Sequence, residues 1–327
     1  MHKIVLTDSE VEQIRALLDG LAGLFESVED DDFLRQAAIL AHELPRRLRV
    51  HLNDFRLLEP TSAICLISGY PVDEERIGPT PPHWKNRVKP SPTLREEMLF
   101  VLCASLLGEA IGWSTQQDGH IVHDLCPIQE HEKEQIGTGS EQDIWWHTED
   151  AFHPLRGDYI GMMCLRNPDR VPTTFANLEG LGLTEEEREQ LSRPVFPIRP
   201  DNSHRLVNKV NGDGDPALLA AYQEIERMNT EPLRIAVLEG DLRTPYIRLD
   251  PYFMEPAEDL DARRAFERLT QLLDARLGEV LLEPGDIGFF DNFQSVHGRR
   301  AFKARYDGTD RWMKRLNVTR DLRRSRA

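Results

Sequence analysis

The chain has 327 residues, 40% of them apolar and 29% charged, with 40 Lys and Arg against 56 Asp and Glu and a formal net charge of −16. That length can bury one sizeable core, and the negative charge repels phosphate backbones and anionic lipid, which argues against nucleic acid and membrane as partners and agrees in sign with a cationic ligand. No apolar run reaches the roughly 20 residues needed to cross a bilayer, and the N-terminus lacks a signal-peptide core, so a cytoplasmic protein is expected.

In chain order, Thr7, Asp8 or Ser9 can cap a first helix whose Val11, Ile14, Leu17, Leu18 and Leu21 recur at helical spacing. After the acidic run Glu29 to Asp32, a second amphipathic helix carries Phe33, Ala37, Ile39, Leu40 and Leu44 until Pro45 disturbs the pattern. The stretch "SAICLISGYPVD" has the β-branched character of a buried strand, ended by Gly69 and Pro71. A long buried helix is predicted over about 93 to 109, ending near Gly112. Cys65, Cys103, Cys126 and Cys164 are scattered without a C-x-x-C pair, which predicts four buried thiols rather than a disulfide framework or a zinc site.

Beyond that helix the texture changes to strand-sized pieces separated by Gly, Pro and Asn/Asp: "DYIGMMCLRNP", "TTFANL", "PVFPIRP", "HRLVNKV", "TPYIRLDPYF", "EVLLEPGDIGFFDNF" and "RWMKRLNVTRDL". Two more helices are expected at 184 to 193 and 257 to 278. The Pro- and Gly-containing region from about 199 to 245 reads as a mobile loop or lid. A single domain over 1–327 is expected, with an N-terminal helical region (1–58) and a core (59–327) of sandwich or jelly-roll type packed against helices.

The chemistry concentrates in "DIWWHTEDAFHP", residues 143 to 154. His147 alone among the 11 histidines has an acid two residues on. Side chains at i and i+2 of a strand share a face, so His147 and Glu149 can reach one point while Trp146 and Thr148 face away. With 56 acids in 327 residues, one or two such pairs arise by chance among 11 histidines, so the pair alone defines nothing. His297, near the end of the apolar strand in "GDIGFFDNFQSVHGRRAF", can supply a third ligand. Two histidines and one carboxylate on one face of an octahedral ion form the facial triad of non-haem Fe(II) oxygenases. Fourteen residues further stands Arg311, whose rigid, permanently charged fork suits a carboxylate.

Together "WHTEDAFHP", "GDYIGMMCLRNPD", "TTFANL", "IRPDNSH", "VHGRRAF" and "YDGTDRWMKRLNVTRDLR" resemble the clavaminate-synthase-like Fe(II)/2-oxoglutarate oxygenases, in the branch that hydroxylates free arginine, asparagine and lysine. The resemblance runs from about residue 60 onward. It implies an α+β, mainly β fold, a double-stranded β-helix or distorted jelly roll with flanking helices. It further implies Fe(II) held by His147, Glu149 and His297, 2-oxoglutarate held by Arg311 and the Thr174 hydroxyl, and O2 as oxidant. No catalytic residue beyond the metal centre is implied, because metal and cosubstrate carry the chemistry. Glu149 retains the ligand that halogenases of the superfamily lack, which favours hydroxylation.

By the same resemblance Arg315 takes the substrate carboxylate, Gln116 and the second oxygen of Glu149 take its α-amino group, and Asp250 meets its side chain. The small-molecule partner is then a free amino acid; the oligomeric state stays open. The arginine hydroxylases of this branch carry a D-x-D pair where this chain has Arg248-Leu249-Asp250. One acid suits an ammonium better than a guanidinium, so lysine, hydroxylated at C3 or C4 with release of succinate and CO2, is favoured over arginine. Hydroxylation or desaturation of a neutral residue such as asparagine, and a cupin-like module without turnover, are the alternatives. His153 is expected to pack rather than ligate, and His120, His123 and His131 to lie at the surface. Of Trp145 and Trp146, at most one can line the cavity.

Overall fold

The computed structural model describes residues 1–204 and 215–326. Its helices are α1 (Asp8–Ala22), α2 (Asp31–Leu40), α3 (Arg46–Leu58), α4 (Glu74–Ile77), α5 (Leu94–Ser105), α6 (Glu185–Leu191), α7 (Pro216–Thr230) and α8 (Leu260–Asp274). The strands are β1 (His2–Val5), β2 (Ile64–Ser68), β3 (Glu109–Ile111), β4 (His123–Leu125), β5 (Ile144–His147), β6 (Tyr159–Arg166), β7 (Thr173–Asn177) and β8 (Phe196–Ile198). They continue with β9 (Leu233–Ile235), β10 (Leu238–Glu239), β11 (Tyr246–Ile247), β12 (Gly278–Val280), β13 (Ile287–Asp291), β14 (Ser295–Arg299) and β15 (Trp312–Thr319).

Two sheets organise these elements. The larger has the order β1-β2-β13-β6-β15-β3, with β4 also paired to β15; the smaller is β12-β7-β14-β5. Alternation along each strand sorts side chains between layers. Ile64 and Leu66 of β2, Ile160, Met162 and Cys164 of β6 and Phe290 of β13 point inward and pack with Val280 and Phe175 of the smaller sheet. Their neighbours Cys65, Ile67, Tyr159, Met163 and Phe289 point outward into a core shared with α1, α2, α3 and α5. On the far side, Trp146, Ala176 and Val296 of the smaller sheet pack under Leu191 of α6 and Leu269 and Leu273 of α8. The result is four layers, helices on both outer faces and the inter-sheet space between. Gly161 is the thin point of β6, because a Cβ there would stand 2.8 Å from the buried Phe100 ring of α5.

Several expectations change. The 1–58 region is not purely helical: β1 pairs in parallel with β2 and joins the larger sheet. Thr7 is the cap of α1, in a reciprocal capping box with Glu10. Pro45 does not just end a helix; it is the N-cap of α3, a place where a missing N–H costs nothing. The long helix stops at Ser105, and Glu109–Ile111 turns into β3 on β15. The region 199 to 245 is not a loop throughout. It contains α7, capped by Asp215 with Pro216 in its first turn, and β9 and β10. The strand proposed at "HRLVNKV" lies outside the described residues except for His204, which sits in a 3-10 turn, Asn202–His204. "TPYIRLDPYF" is strand only over Tyr246–Ile247. All four cysteines are free and buried, and among the described residues no helix is long and apolar enough to cross a membrane.

Candidate active site

His147 ends β5 and His297 sits on β14, directly opposite it in the antiparallel register, with ring centroids 4.7 Å apart. The Oε2 atom of Glu149 lies 3.5 Å from His147 Nε2 and 3.3 Å from His297 Nε2. Three ligand atoms thus converge on one point, within 4.8 Å of each other. The imidazole of His147 is already oriented: its Nδ1 lies 2.7 Å from the Trp145 carbonyl. A carbonyl only accepts, so Nδ1 carries a proton and Nε2 is the atom turned toward Glu149 and His297, from which an arriving metal would displace any proton.

Glu149 is brought back by a turn rather than by strand continuation, since β5 ends at His147. Asp150 takes a left-handed φ of 51°, a conformation Asp tolerates better than most residues. Its buried carboxylate accepts from Trp113 Nε1 at 2.5 Å, His204 Nε2 at 3.1 Å and Asn317 Nδ2 at 3.2 Å, which pins the turn. From the other side, Asn292 accepts the Glu149 N–H at 2.7 Å and donates to the Glu149 carbonyl at 3.0 Å and to that of Gly157 at 2.9 Å.

The electrostatics suit a cation ligand set. Burial opposes the Glu149 charge, yet Arg315 and the two imidazoles outweigh it and hold the carboxyl well below its usual range. Burial also opposes a charge on His147, but Glu149 and Asp250 hold its pKa up at about 9. Burial depresses His297.

The triad opens into a cavity whose wall also carries Arg311, Arg315, Asp201 and Asp250. Arg311, on its wall, is 5% exposed, and its side chain has no hydrogen-bond acceptor or carboxylate among the described residues. Burial pushes its pKa down to about 10. An unpartnered buried guanidinium is costly unless an anion arrives, so the donor set fits a carboxylate-bearing cosubstrate beside a divalent metal.

Of the two adjacent threonines, the structure turns Thr173 rather than the expected Thr174 toward the cavity. On β7, Thr173 pairs with Arg299 and Phe175 with His297, so both share the inward face; Thr174 pairs with Gly298 and faces out. Thr173 lines the cavity, whereas Thr174 lines a separate cleft against α8. A one-residue register error reverses a strand side chain, and two adjacent threonines gave no pattern to choose between them.

At the opposite end, Arg315 donates from Nη1 to Glu149 Oε1 and from Nη2 to Gln116 Oε1 at 3.1 Å and His123 Nδ1 at 2.8 Å. The two oxygens of Glu149 are therefore divided, Oε2 to the histidines and Oε1 to Arg315. Asp250 is buried on the cavity wall, and burial followed by Asp201 raises its pKa to about 6 despite nearby His147. Asp201 also lines the cavity. Its carboxylate accepts from Ser203 Oγ, which in turn accepts from Gln116 Nε2 at 2.6 Å. Arg248 turns away, donating to the carbonyls of Ala151 at 2.7 Å and Phe152 at 3.2 Å.

Sequence reading missed Asp201, Thr173, Asn292 and His123. His123 is not a surface residue; it is buried on β4, with Nε2 donating to the His120 carbonyl and Nδ1 facing Arg315. His153 does pack, against the Trp113 ring at 4.3 Å, while His120 and His131 contact Glu29 and Thr138. Trp146 joins the core and Trp145, 54% exposed, forms the cavity rim against Tyr252.

The family model for the taurine catabolism dioxygenase TauD, TfdA family, matches residues 169–317. The chain is 46% identical to an L-ornithine/L-arginine 3-hydroxylase of Catenulispora acidiphila, over 100% of its own length and 97% of that protein. It is likewise 46% identical to an enduracididine beta-hydroxylase of Streptomyces hygroscopicus, covering 100% and 96%. The crystal structure of the non-heme iron oxygenase OrfP in complex with Fe, succinate and (3S)-hydroxy-L-Arg superposes with a TM-score of 0.94 at 46% identity, covering 99% of this chain and 96% of that one.

Proposed function

The chain belongs to the TauD/TfdA family, among its clavaminate-synthase-like Fe(II)/2-oxoglutarate oxygenases, and on that premise we propose that its substrate is free arginine, hydroxylated at C3. It is a dioxygenase that hydroxylates a free basic amino acid. Bound Fe(II), 2-oxoglutarate and O2 supply the oxidation, with the cosubstrate leaving as succinate and CO2 and one oxygen atom entering a C–H bond. The facing sheets, with the site between them, support reading the fold as a double-stranded β-helix formed by one domain.

The chain's own residues divide the work. His147, His297 and Glu149 Oε2 would hold the metal. Arg311 and Thr173 would receive the far carboxylate of 2-oxoglutarate. A zwitterion can insert into the Arg315–Glu149 ion pair, its carboxylate taking Arg315 and its ammonium taking Glu149 Oε1 and the Gln116 carbonyl oxygen. That exchange replaces one buried ion pair by two, which suits the head group of a free α-amino acid.

The observation that carries arginine over lysine is the pair Asp201 and Asp250 on the cavity wall. In the sequence Asp250 stands alone, which favours lysine; in the fold a second acid, Asp201, joins it from a segment 49 residues earlier. Two carboxylates match the several donors of a guanidinium, where an ammonium is served by one. The 46% identity to proteins named for ornithine/arginine and for enduracididine hydroxylation, at C3 or the β-carbon, supports C3 as the position and a basic substrate.

The test is turnover with Fe(II) and 2-oxoglutarate against each of the twenty amino acids and ornithine. We expect a +16 mass shift in arginine, with the new hydroxyl at C3 by NMR, and a lower kcat/KM for lysine. A product with lysine but none with arginine would overturn the substrate assignment.

A further inference from the structure

Arg299 is the last residue of β14, two beyond His297 and on the same inward face, directly across from Thr173. Its guanidinium is buried, donates to the carbonyls of Gly139 at 2.8 Å and Gln142 at 3.1 Å, and lies over the Phe302 ring, 4.9 Å from its centroid. None of these partners is an anion. Among the described residues Arg299 makes no ion pair, and its Nε is unpartnered, as is that of Arg311. Both line the same cavity.

Like charges repel most in a low-dielectric interior, so two buried guanidiniums without an ion-pair partner among the described residues, on one cavity wall, mark a place for a negative charge held from two sides. The spacing agrees. Two residues along a strand span about 7 Å, and a five-carbon chain with ~1.5 Å bonds is roughly 5 Å long when extended. A keto acid anchored by its first carboxylate beside His297 therefore brings its far carboxylate level with Arg299 and Thr173.

We propose that Arg299 is a second cosubstrate-binding cation, which with Arg311 receives the distal carboxylate of 2-oxoglutarate and ties it to the 135–142 segment that walls the cavity. This rests on the reading of the chain as a 2-oxoglutarate oxygenase. The tie is specific: Gly139 and Gln142, which Arg299 holds, flank the same segment as Gln135, Ile136 and Gly137, which line the cavity.

The test compares 2-oxoglutarate with 2-oxopentanoate, the same chain without the distal carboxylate, by calorimetry on protein loaded with Mn(II), so that no turnover is needed. In Arg299→Gln and Arg299→Met, the second keeping the packing on Phe302, we expect 2-oxoglutarate to bind at least tenfold more weakly and 2-oxopentanoate to change less than twofold. Arg299→Lys, which keeps the charge, should lose less than either. Equal weakening of both keto acids would make Arg299 a structural tie only, and an unchanged 2-oxoglutarate affinity would leave it no role; either overturns the proposal, as does failure of both neutral variants to fold. If the unaltered protein binds no 2-oxoglutarate, the family reading fails instead.

Discussion

Replacing Asn292 by alanine removes three hydrogen bonds that hold the backbone on both sides of the proposed metal ligand Glu149, to the Glu149 N–H and carbonyl and to the Gly157 carbonyl. Asn292 is 1% exposed, so water does not readily replace them. At about 1 kcal/mol net for each, the loss of folding stability comes to about 3 kcal/mol. The turn carrying Glu149 also loosens, and losing a residue that orients a metal ligand typically costs about 10- to 100-fold in metal affinity. Asn167→Ala is the control. Asn167 also makes three buried hydrogen bonds, to Val171 N–H and to the carbonyls of Val171 and Leu282, and none of them reaches the triad. Urea unfolding followed by tryptophan fluorescence should show a similar stability loss in both variants, while Co(II) titration under native conditions should show weakened binding in Asn292→Ala alone. Equal metal affinity in the two variants would refute the claim that Asn292 positions Glu149.

Asp201→Asn and Asp250→Asn should each lower kcat/KM for arginine by about 10- to 100-fold, the worth of a charge-assisted hydrogen bond of ~1.5–3 kcal/mol, with little change in the KM for 2-oxoglutarate; equal losses in both parameters would place these acids elsewhere. Because burial raises the Asp250 carboxyl to about 6 and a cation binds only its ionised form, kcat/KM for arginine should fall as pH drops through about 6, a step absent in Asp250→Asn. Arg311→Met removes a buried, unpartnered guanidinium, so the protein without cosubstrate should melt no lower than the unaltered chain, yet lose the thermal stabilisation that 2-oxoglutarate confers; a lower melting point would mean Arg311 is structurally required. Gly298→Ala puts a Cβ 2.4 Å from the Ile144 carbonyl oxygen and 3.1 Å from the Trp146 nitrogen, forcing β5 and β14 apart at a cost of about 1–3 kcal/mol, and metal affinity should fall with stability.

What could be read from the chain alone was whatever depends on local spacing. The helical spacing after the Thr7–Ser9 cap candidates, the strand-sized pieces that became β6 and β13, and the His147–Glu149 interval are short-range patterns, and the last pointed to a metal site once His297 and Arg311 were set beside it. What could not be read depends on which segments meet. Thr173 and Thr174 are adjacent and alike, and only the pairing of β7 with β14 decides which faces the cavity. Asp201 and Asp250 share no motif, so a count of acids near position 250 finds one where the folded chain presents two. His123 in an acidic, turn-rich stretch carries no sign that β4 will set it behind Arg315. Residue types and their intervals thus determined the chemistry available to this protein, because metal and carboxylate ligation needs particular donors. Tertiary structure decided which acids share the cavity wall proposed for the substrate side chain, because strand register and turns that no local period announces bring groups from distant segments together.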